Sequence, residues 1–399
     1  MSILKGKRLL VIGAGHGQLP LIEKAIEMGI YVVAVDVNPE ACGMKVASES
    51  YPIDIVDKEA ILELALKKSI DGVVTMQSDL PVPAVGYVNE KMSLSGVDYE
   101  AAVICSNKNN TRERFFDSGV LQPKYFVCET FEEVYSAVEK LGFPSVVKSA
   151  DSSGSRGIVK VESSDVLQDA YDEAIKFSRS GKIVVEEFIE GVEIGAQTFS
   201  VNGKCVVVCL HNDFISSKPY MIPIGHSYPL NIEGLDRQFI ESEVAKAVIA
   251  LGVNDGPANV DLIIGNNGRP YIIEIGARIG ATCLPELTSQ HLGIDWVYCT
   301  IQSAIGIAPD FNTLKSDPCA AFILESPNDG VLKEVIIPGD LKSNDNLLEL
   351  EVTVSPGDEV SILRKGTDRI GKVFCKGKNV ADAEKISQEV RDKIEFVVA

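Results

Sequence analysis

Apolar positions along the first hundred residues follow two alternating periods. Short apolar runs at Arg8–Ile12, Tyr31–Val35 and 72–75 predict strands, and the amphipathic segments 19–28 and 58–67 predict helices between them. Strands that alternate with helices predict a parallel sheet wrapped by helices, an α/β domain. Beyond residue 106 the pattern changes. A helix at 111–118, a strand at 125–127 and a helix at Phe131–Leu141 precede Val- and Ile-rich strand pairs, 145–148 with Ile158–Val161 and 183–188 with 194–201. This is an α+β order. After about residue 310 come short strands with turns at Pro338-Gly339-Asp340 and Pro356-Gly357-Asp358, ending in an amphipathic helix predicted at 381–396. The chain therefore divides into 1–105 (α/β), 106–200 and 201–310 (α+β), and a C-terminal α+β portion, 311–399.

The most informative stretch runs from Asn259 to Arg278. Asn267-Gly268 between two β-branched runs signals a two-residue hairpin, because both central positions of a type I′ turn take positive φ. Folding about it pairs Ile264 with Tyr271, Ile263 with Ile272, Leu262 with Ile273 and Asp261 with Glu274, which puts the two acids on one face. Like charges facing each other across strands repel, so something must compensate. A divalent cation does so, and Mg²⁺ held by one or two carboxylates plus nucleotide phosphates is a recurring arrangement. Arg278 adds a fixed positive charge. The competing reading is a solvated hairpin whose acids diverge, and a one-residue shift of the turn would put them on opposite faces.

Three other stretches carry chemistry. Between the strands at 146–148 and Ile158–Val161 lies a loop of serines with Gly154 and Gly157, whose backbone N–H groups can close on phosphate oxygens while Lys148 and Arg156 add charge. Its spacing is not that of a Walker P-loop, and a plain hairpin loop has the same composition. The run Ile183-Val-Val-Glu-Glu-Phe-Ile-Glu-Gly-Val-Glu193 is a strand ending in acids; it can offer backbone groups to an adenine and Glu193 to ribose hydroxyls, or be a polar strand end. Gly13-Ala-Gly-His-Gly-Gln18 with Asp36 invites a dinucleotide reading, but Gln18 replaces the last glycine of GxGxxG. Among four histidines none forms HExxH, which argues against a zinc enzyme; His226 is the one to test for a substrate role, against the plainer reading of a satisfied structural histidine.

Composition narrows the classes. Hydrophobic residues at 45% and charged residues at 24% are globular proportions, and no segment has the uncharged apolar length of a membrane span. The run at 9–12 is too short for a signal peptide and enters the glycine cluster instead. Nine cysteines without CxxC pairs suggest reduced thiols in a cytoplasm. A net charge of −19 opposes nucleic acid or anionic membrane as partners, so a bound polyanion needs local Lys and Arg.

Taken together and in this order, the elements resemble the ATP-grasp superfamily, in particular carboxylate–amine ligases of the L-amino-acid (dipeptide) ligase type, over nearly the whole chain. The resemblance implies an N-terminal Rossmann-like domain, a central domain, an ATP-clasping domain and a small C-terminal portion. It implies Lys108 and Lys148 on the phosphates of ATP, beneath a loop at 152–157 that includes Ser153 and Gly154. It places Glu186 and the Ile189 backbone at the adenine, Glu193 at the ribose, and Asp261 and Glu274 on Mg²⁺, with Mn²⁺ as a substitute. Arg278, catalytic together with Lys148, would steady the reacting carboxylate and the transferred phosphoryl. Gly225-His-Ser-Tyr-Pro229 looks like the substrate loop of amino-acid ligases, which joins His226 to Gly276 and Arg278 in the substrate site. Many relatives have Asn-Pro, the Asn on metal, where Gly276-Ala277 stand here, so the number of metal ions stays open.

The implied activity is ATP-dependent ligation of a small-molecule carboxylate, such as an amino acid, to an amine through an acyl phosphate. A homodimer is the family expectation. A carboxyphosphate-forming enzyme of the purine-biosynthesis type, a small-molecule kinase, an ATP-binding regulator without activity and an NAD oxidoreductase are the alternatives.

Overall fold

The structure, a computed structural model, describes residues 4–152, 156–216 and 222–399. By contacts the chain forms two compact units: Met1–Val208 with Leu235–Ile279 and Val297–Phe311, and Cys209–Gly234 with Gly280–Trp296 and Asn312–Ala399.

The first unit opens with a parallel sheet whose strands lie in the order Glu49–Tyr51, Tyr31–Val35, Arg8–Ile12, Gly72–Val74. Leu9 to Ile12 are all fully buried, since helices cover both faces of a parallel sheet and leave no polar side. One face packs Leu10, Ile12, Val33 and Val35 against Ile61, Leu64 and Val85. A second, antiparallel sheet orders Tyr125–Cys128, Ile183–Glu187, Ser145–Ser149 and Ile158–Val161. Its core joins Val147, Val161, Ile183 and Val185 to the apolar stripes of the helices Phe131–Leu141 and Leu167–Phe177. The third element is antiparallel: Gly191–Val201 pairs with Gly256–Gly265 over ten positions, and Gly256–Gly265 pairs with Pro270–Gly276. Pairing therefore runs across the sequence-drawn boundary at 200.

The second unit is built on antiparallel pairs: the end of Lys204–Ile215 with Pro223–Tyr228, Pro223–Tyr228 with Cys319–Leu324, then Gly371–Lys376 and Leu347–Val352. The C-terminal helix is Val380–Asp392, shorter than the sequence pattern suggested. Glu395–Val398 instead forms a strand against Gly330–Ile336, because its aromatic and β-branched run Phe396-Val-Val398 suits a strand better than another helical turn. The helix expected from 111 begins at Lys108, where the Asn107 side chain accepts from the Asn110 N–H and caps it. Among the described residues no helix is long and apolar enough to cross a membrane.

Candidate active site

The hairpin from Gly256 to Gly276 positions the two acids by an unexpected route. Gly265 N donates to Arg269 O at 2.9 Å and Gly268 N to Gly265 O at 2.8 Å, so the loop holds three residues, 266–268. Gly268 alone of them has positive φ, at 74°. This is a type I turn closed by a left-handed glycine, not the two-residue type I′ turn. Its extra residue slips the register by one: Ile264 faces Pro270, Ile263 Tyr271 and Leu262 Ile272. A bulge at Ile273 then slips it back, and Asp261 faces Glu274. Two opposite one-residue shifts leave the carboxylates on one face.

Each acid has a fixed neighbour. Lys108 Nζ lies 3.3 Å from Glu274 Oε1 and donates to Ser152 O at 2.7 Å. Asp261 Oδ1 accepts from Asn259 Nδ2 at 2.9 Å, and Asn259 Oδ1 accepts from Gln197 Nε2 at 2.6 Å. Gln197 and Asn259 are buried, so this amide relay fixes the rotamer of the exposed Asp261. Paired carboxylate oxygens with no thiol or imidazole between them are the donor set of a hard divalent cation, and the residues present fit Mg²⁺.

Arg278 follows the second strand. Its Nε lies 2.7 Å from Asp79 Oδ1, and Nη2 donates to Asp79 Oδ2 at 2.8 Å. Burial works against the guanidinium charge, but Asp79, then Asp261 and Glu274, outweigh it and raise the pKa. Gly276 lies against this pair: a Cβ built on it would stand 2.5 Å from Asp79 Oδ1 and 3.1 Å from the guanidinium carbon.

Lys148 belongs to a buried charge cluster. Its Nζ donates to Glu186 Oε2 at 2.6 Å, and Arg112 Nε donates to Glu186 Oε1 at 2.7 Å, with all three side chains less than a tenth exposed. Burial would raise the Glu186 pKa, but Arg112 and Lys148 outweigh it and hold it at about 2. Burial lowers that of Lys148, and Glu186 restores only part. Both Glu186 oxygens are thus engaged by cations. Ile189, half-buried, lies just past the end of Ile183–Glu187, and Glu193 is exposed on Gly191–Val201. Of the loop residues, Ser153 and Gly154 lie outside the described residues; its base is pinned by Ser149 N to Gly157 O at 2.9 Å.

The N-terminal glycine loop is closed by its own chain. Asp36 accepts from the Ala14 and Asn38 N–H groups at 2.8 and 2.9 Å, and Gln18 Oε1 from Gly15 N at 3.1 Å. The carboxylate that a dinucleotide reading assigns to a ribose thus holds backbone.

His226 lies in the second unit, buried on Pro223–Tyr228. It faces Asp213 across the strand pair, and the Nδ1 atoms of His226 and His211 both lie 2.7 Å from the same oxygen, Asp213 Oδ1. Burial opposes the Asp213 charge, yet the two imidazoles hold its pKa far below the ordinary carboxylate range.

Sequence reasoning had missed Arg112, Asp79, Asn259, Gln197, His211 and Asp213. Arg112 stands one helical turn from Lys108, and Asn259 and His211 each stand two strand positions from an acid; those spacings were readable. Asp79 is 199 residues from Arg278 and carried no such signal.

Comparison with known proteins places the chain in a family. The ATP-grasp domain family matches residues 105–282, and the L-amino acid ligase C-terminal domain 2 matches residues 322–399. The formate-dependent phosphoribosylglycinamide formyltransferase of Corynebacterium glutamicum is 31% identical over 302 residues, 71% of either chain. The crystal structure of phosphoribosylglycinamide synthetase from Anaerococcus prevotii superimposes with a TM-score of 0.84 at 29% identity, covering 98% of this chain and 100% of that one. The L-amino acid ligase from Bacillus licheniformis gives a TM-score of 0.84 at 22% identity over 99% of each chain, a likeness of fold.

Proposed function

This chain belongs to the ATP-grasp carboxylate–amine ligases, ATP-dependent enzymes that form C–N bonds, and we propose that it joins an amino acid or a related small acid to an amine through an acyl phosphate. The observation that carries the reading is the facing pair Asp261 and Glu274, with Lys108 on one acid and Arg278 two residues past the end of the same strand.

Asp261 and Glu274 would hold Mg²⁺, which supplies charge neutralisation between phosphate oxygens. Lys108 and Lys148 would bind the phosphates of ATP; a lysine whose ammonium is buried against Glu186 is a point charge already oriented before the nucleotide arrives. The substrate carboxylate would attack the γ-phosphorus with ADP leaving, and the amine would then attack the acyl carbon with phosphate leaving. Arg278 presents a planar fork held by Asp79, which suits bidentate contact with an acyl phosphate and with the oxyanion that follows. The backbone near Ile189 and the carboxylate of Glu193 would take the adenosine. His226 would contact the substrate.

An amino acid as substrate is supported by the match of residues 322–399 to the L-amino acid ligase C-terminal domain. The formate-dependent relatives favour a second version of the same chemistry, formate activated and passed to a ribotide amine. Phosphate release from Mg–ATP, screened over amino acids singly and in pairs and over formate with glycinamide ribotide, followed by product mass, separates the two. ADP formed with a phosphorylated substrate and no free phosphate would instead indicate a kinase, and no ATP consumption with any carboxylate would sink the ligase reading for this site.

A further inference from the structure

Arg112 touches neither acid of the hairpin, yet its guanidinium meets the element that sets their register. Nη1 donates to Ile272 O and Nη2 to Ile273 O, both at 2.9 Å, while Nε donates to Glu186 at 2.7 Å. In a regular strand successive carbonyls point to opposite edges. Here two successive carbonyls reach one side chain, which only the bulge allows. Pro270–Gly276 is the last strand of its sheet, so carbonyls turned outward there have no neighbouring strand to bond. At 1% exposure Arg112 supplies the donors that water cannot.

We propose that Arg112 is a positioning residue that couples the two halves of the Mg–ATP site. One arm of its fork holds the bulge that brings Glu274 opposite Asp261, and the other holds Glu186 and through it Lys148. The inference rests on the reading of Asp261 and Glu274 as metal ligands. Without the bulge the three-residue turn would leave the strands one residue out of register, and Glu274 would face the other side of the sheet. Without Glu186 the Lys148 ammonium would lose its partner. A lysine at 112 keeps the charge facing Glu186 but cannot reach two carbonyls in one plane. A glutamine removes one positive charge from a cluster of two cations and one anion, leaving Lys148 and Glu186 as a neutral pair, so this variant keeps its buried charge balanced.

The test measures Mn²⁺ affinity by electron paramagnetic resonance in the presence of a non-hydrolysable ATP analogue, and analogue affinity in chelator without metal. Both Arg112→Lys and Arg112→Gln should weaken Mn²⁺ by about 10-fold or more; Arg112→Lys, which keeps a charge facing Glu186, should change metal-free analogue binding by less than about 3-fold, and Arg112→Gln, which loses it, should weaken analogue binding by more than that. Glu186→Gln should do the reverse, moving analogue affinity and leaving Mn²⁺ affinity nearly as it was. Val161→Ala, a core change in the same sheet, should lower thermal stability without moving either affinity, which separates positioning from loss of stability. Mn²⁺ affinity unchanged in both Arg112 variants, or weakened equally by Val161→Ala, overturns the coupling while leaving the ligase reading intact. A wild-type protein that binds no Mn²⁺ with the analogue overturns the ligase reading, and the coupling with it.

Discussion

Gly276 and Asp79 are in a contact that no side chain could share: a Cβ on the glycine would lie 2.5 Å from the Asp79 oxygen that meets Arg278. The strand backbone at Gly276 is not left-handed, so alanine is acceptable to the main chain and its cost falls on the ion pair. Gly276→Ala should displace Asp79 from Arg278 and lower kcat for phosphate release by about 10- to 100-fold, roughly 1.4–2.8 kcal/mol of transition-state stabilisation. Steady-state kinetics at saturating Mg–ATP measures it; an unchanged kcat would mean that the pair does not orient Arg278 for the reaction.

The amide relay behind Asp261 predicts a graded series. Asp261→Asn and Glu274→Gln remove a negative charge from the proposed metal ligands and should each cost about 10²–10³-fold in phosphate release. Asn259→Ala removes only the donor that orients Asp261 and should cost about 10-fold, recovered in part by raising Mg²⁺. Gln197→Ala, one step further back, should cost less again. A Mg²⁺ titration of phosphate release across the four variants reads this order, and equal losses for Asn259→Ala and Asp261→Asn would break it.

Much of this site is written in local pattern, and the remainder is not. Continuous apolar runs identified the strands because burial on both faces leaves no polar side in a parallel sheet, as at 9–12. The facing of Asp261 and Glu274 was readable, though through a turn that does not form: Asn267-Gly268 pointed to two residues, the chain uses three, and the bulge at Ile273 cancels the difference. Nothing local in Ile272-Ile273 marks a bulge, because it is held from outside by Arg112, 160 and 161 residues away. Asp79 is similarly remote from Arg278. Such partners depend on how sheets and helices come together, which periodicity does not encode.

Acid should weaken the first unit through Glu186. Its pKa is lowered from 4.5 to about 2, so folding favours the ionised form. The stabilisation is complete above 4.5 and is lost as pH falls from 4.5 toward 2, on the order of 3 kcal/mol in all. Stability measured by urea unfolding should therefore be insensitive to this group near neutrality and fall steeply below about pH 4.5. Glu186→Gln should be less stable than wild type at pH 7 and lose that part of the acid slope. A variant with the wild-type slope would show that other carboxylates govern acid unfolding.

Asp213 makes the last prediction, in the second unit. An ionised carboxylate only accepts hydrogen bonds, so both imidazoles that approach Asp213 Oδ1 at 2.7 Å must carry a proton on Nδ1. That leaves Nε2 as the lone-pair nitrogen of each neutral ring. With only four histidines in the chain, the ¹⁵N spectrum of the imidazoles is simple enough to assign. His211 and His226 should both appear as Nδ1–H forms near neutral pH, whereas the usual form in water carries its proton on Nε2. In Asp213→Leu neither Nδ1–H has an acceptor left, so the preference for the Nδ1–H form should be lost and the Nδ1 signals should move toward the unprotonated position. If His226 contacts substrate, the same variant should raise the KM for the amino acid or acid by about 10-fold while leaving that for ATP within about twofold. A tautomer change without any change in substrate KM would restrict the Asp213 cluster to holding the sheet together.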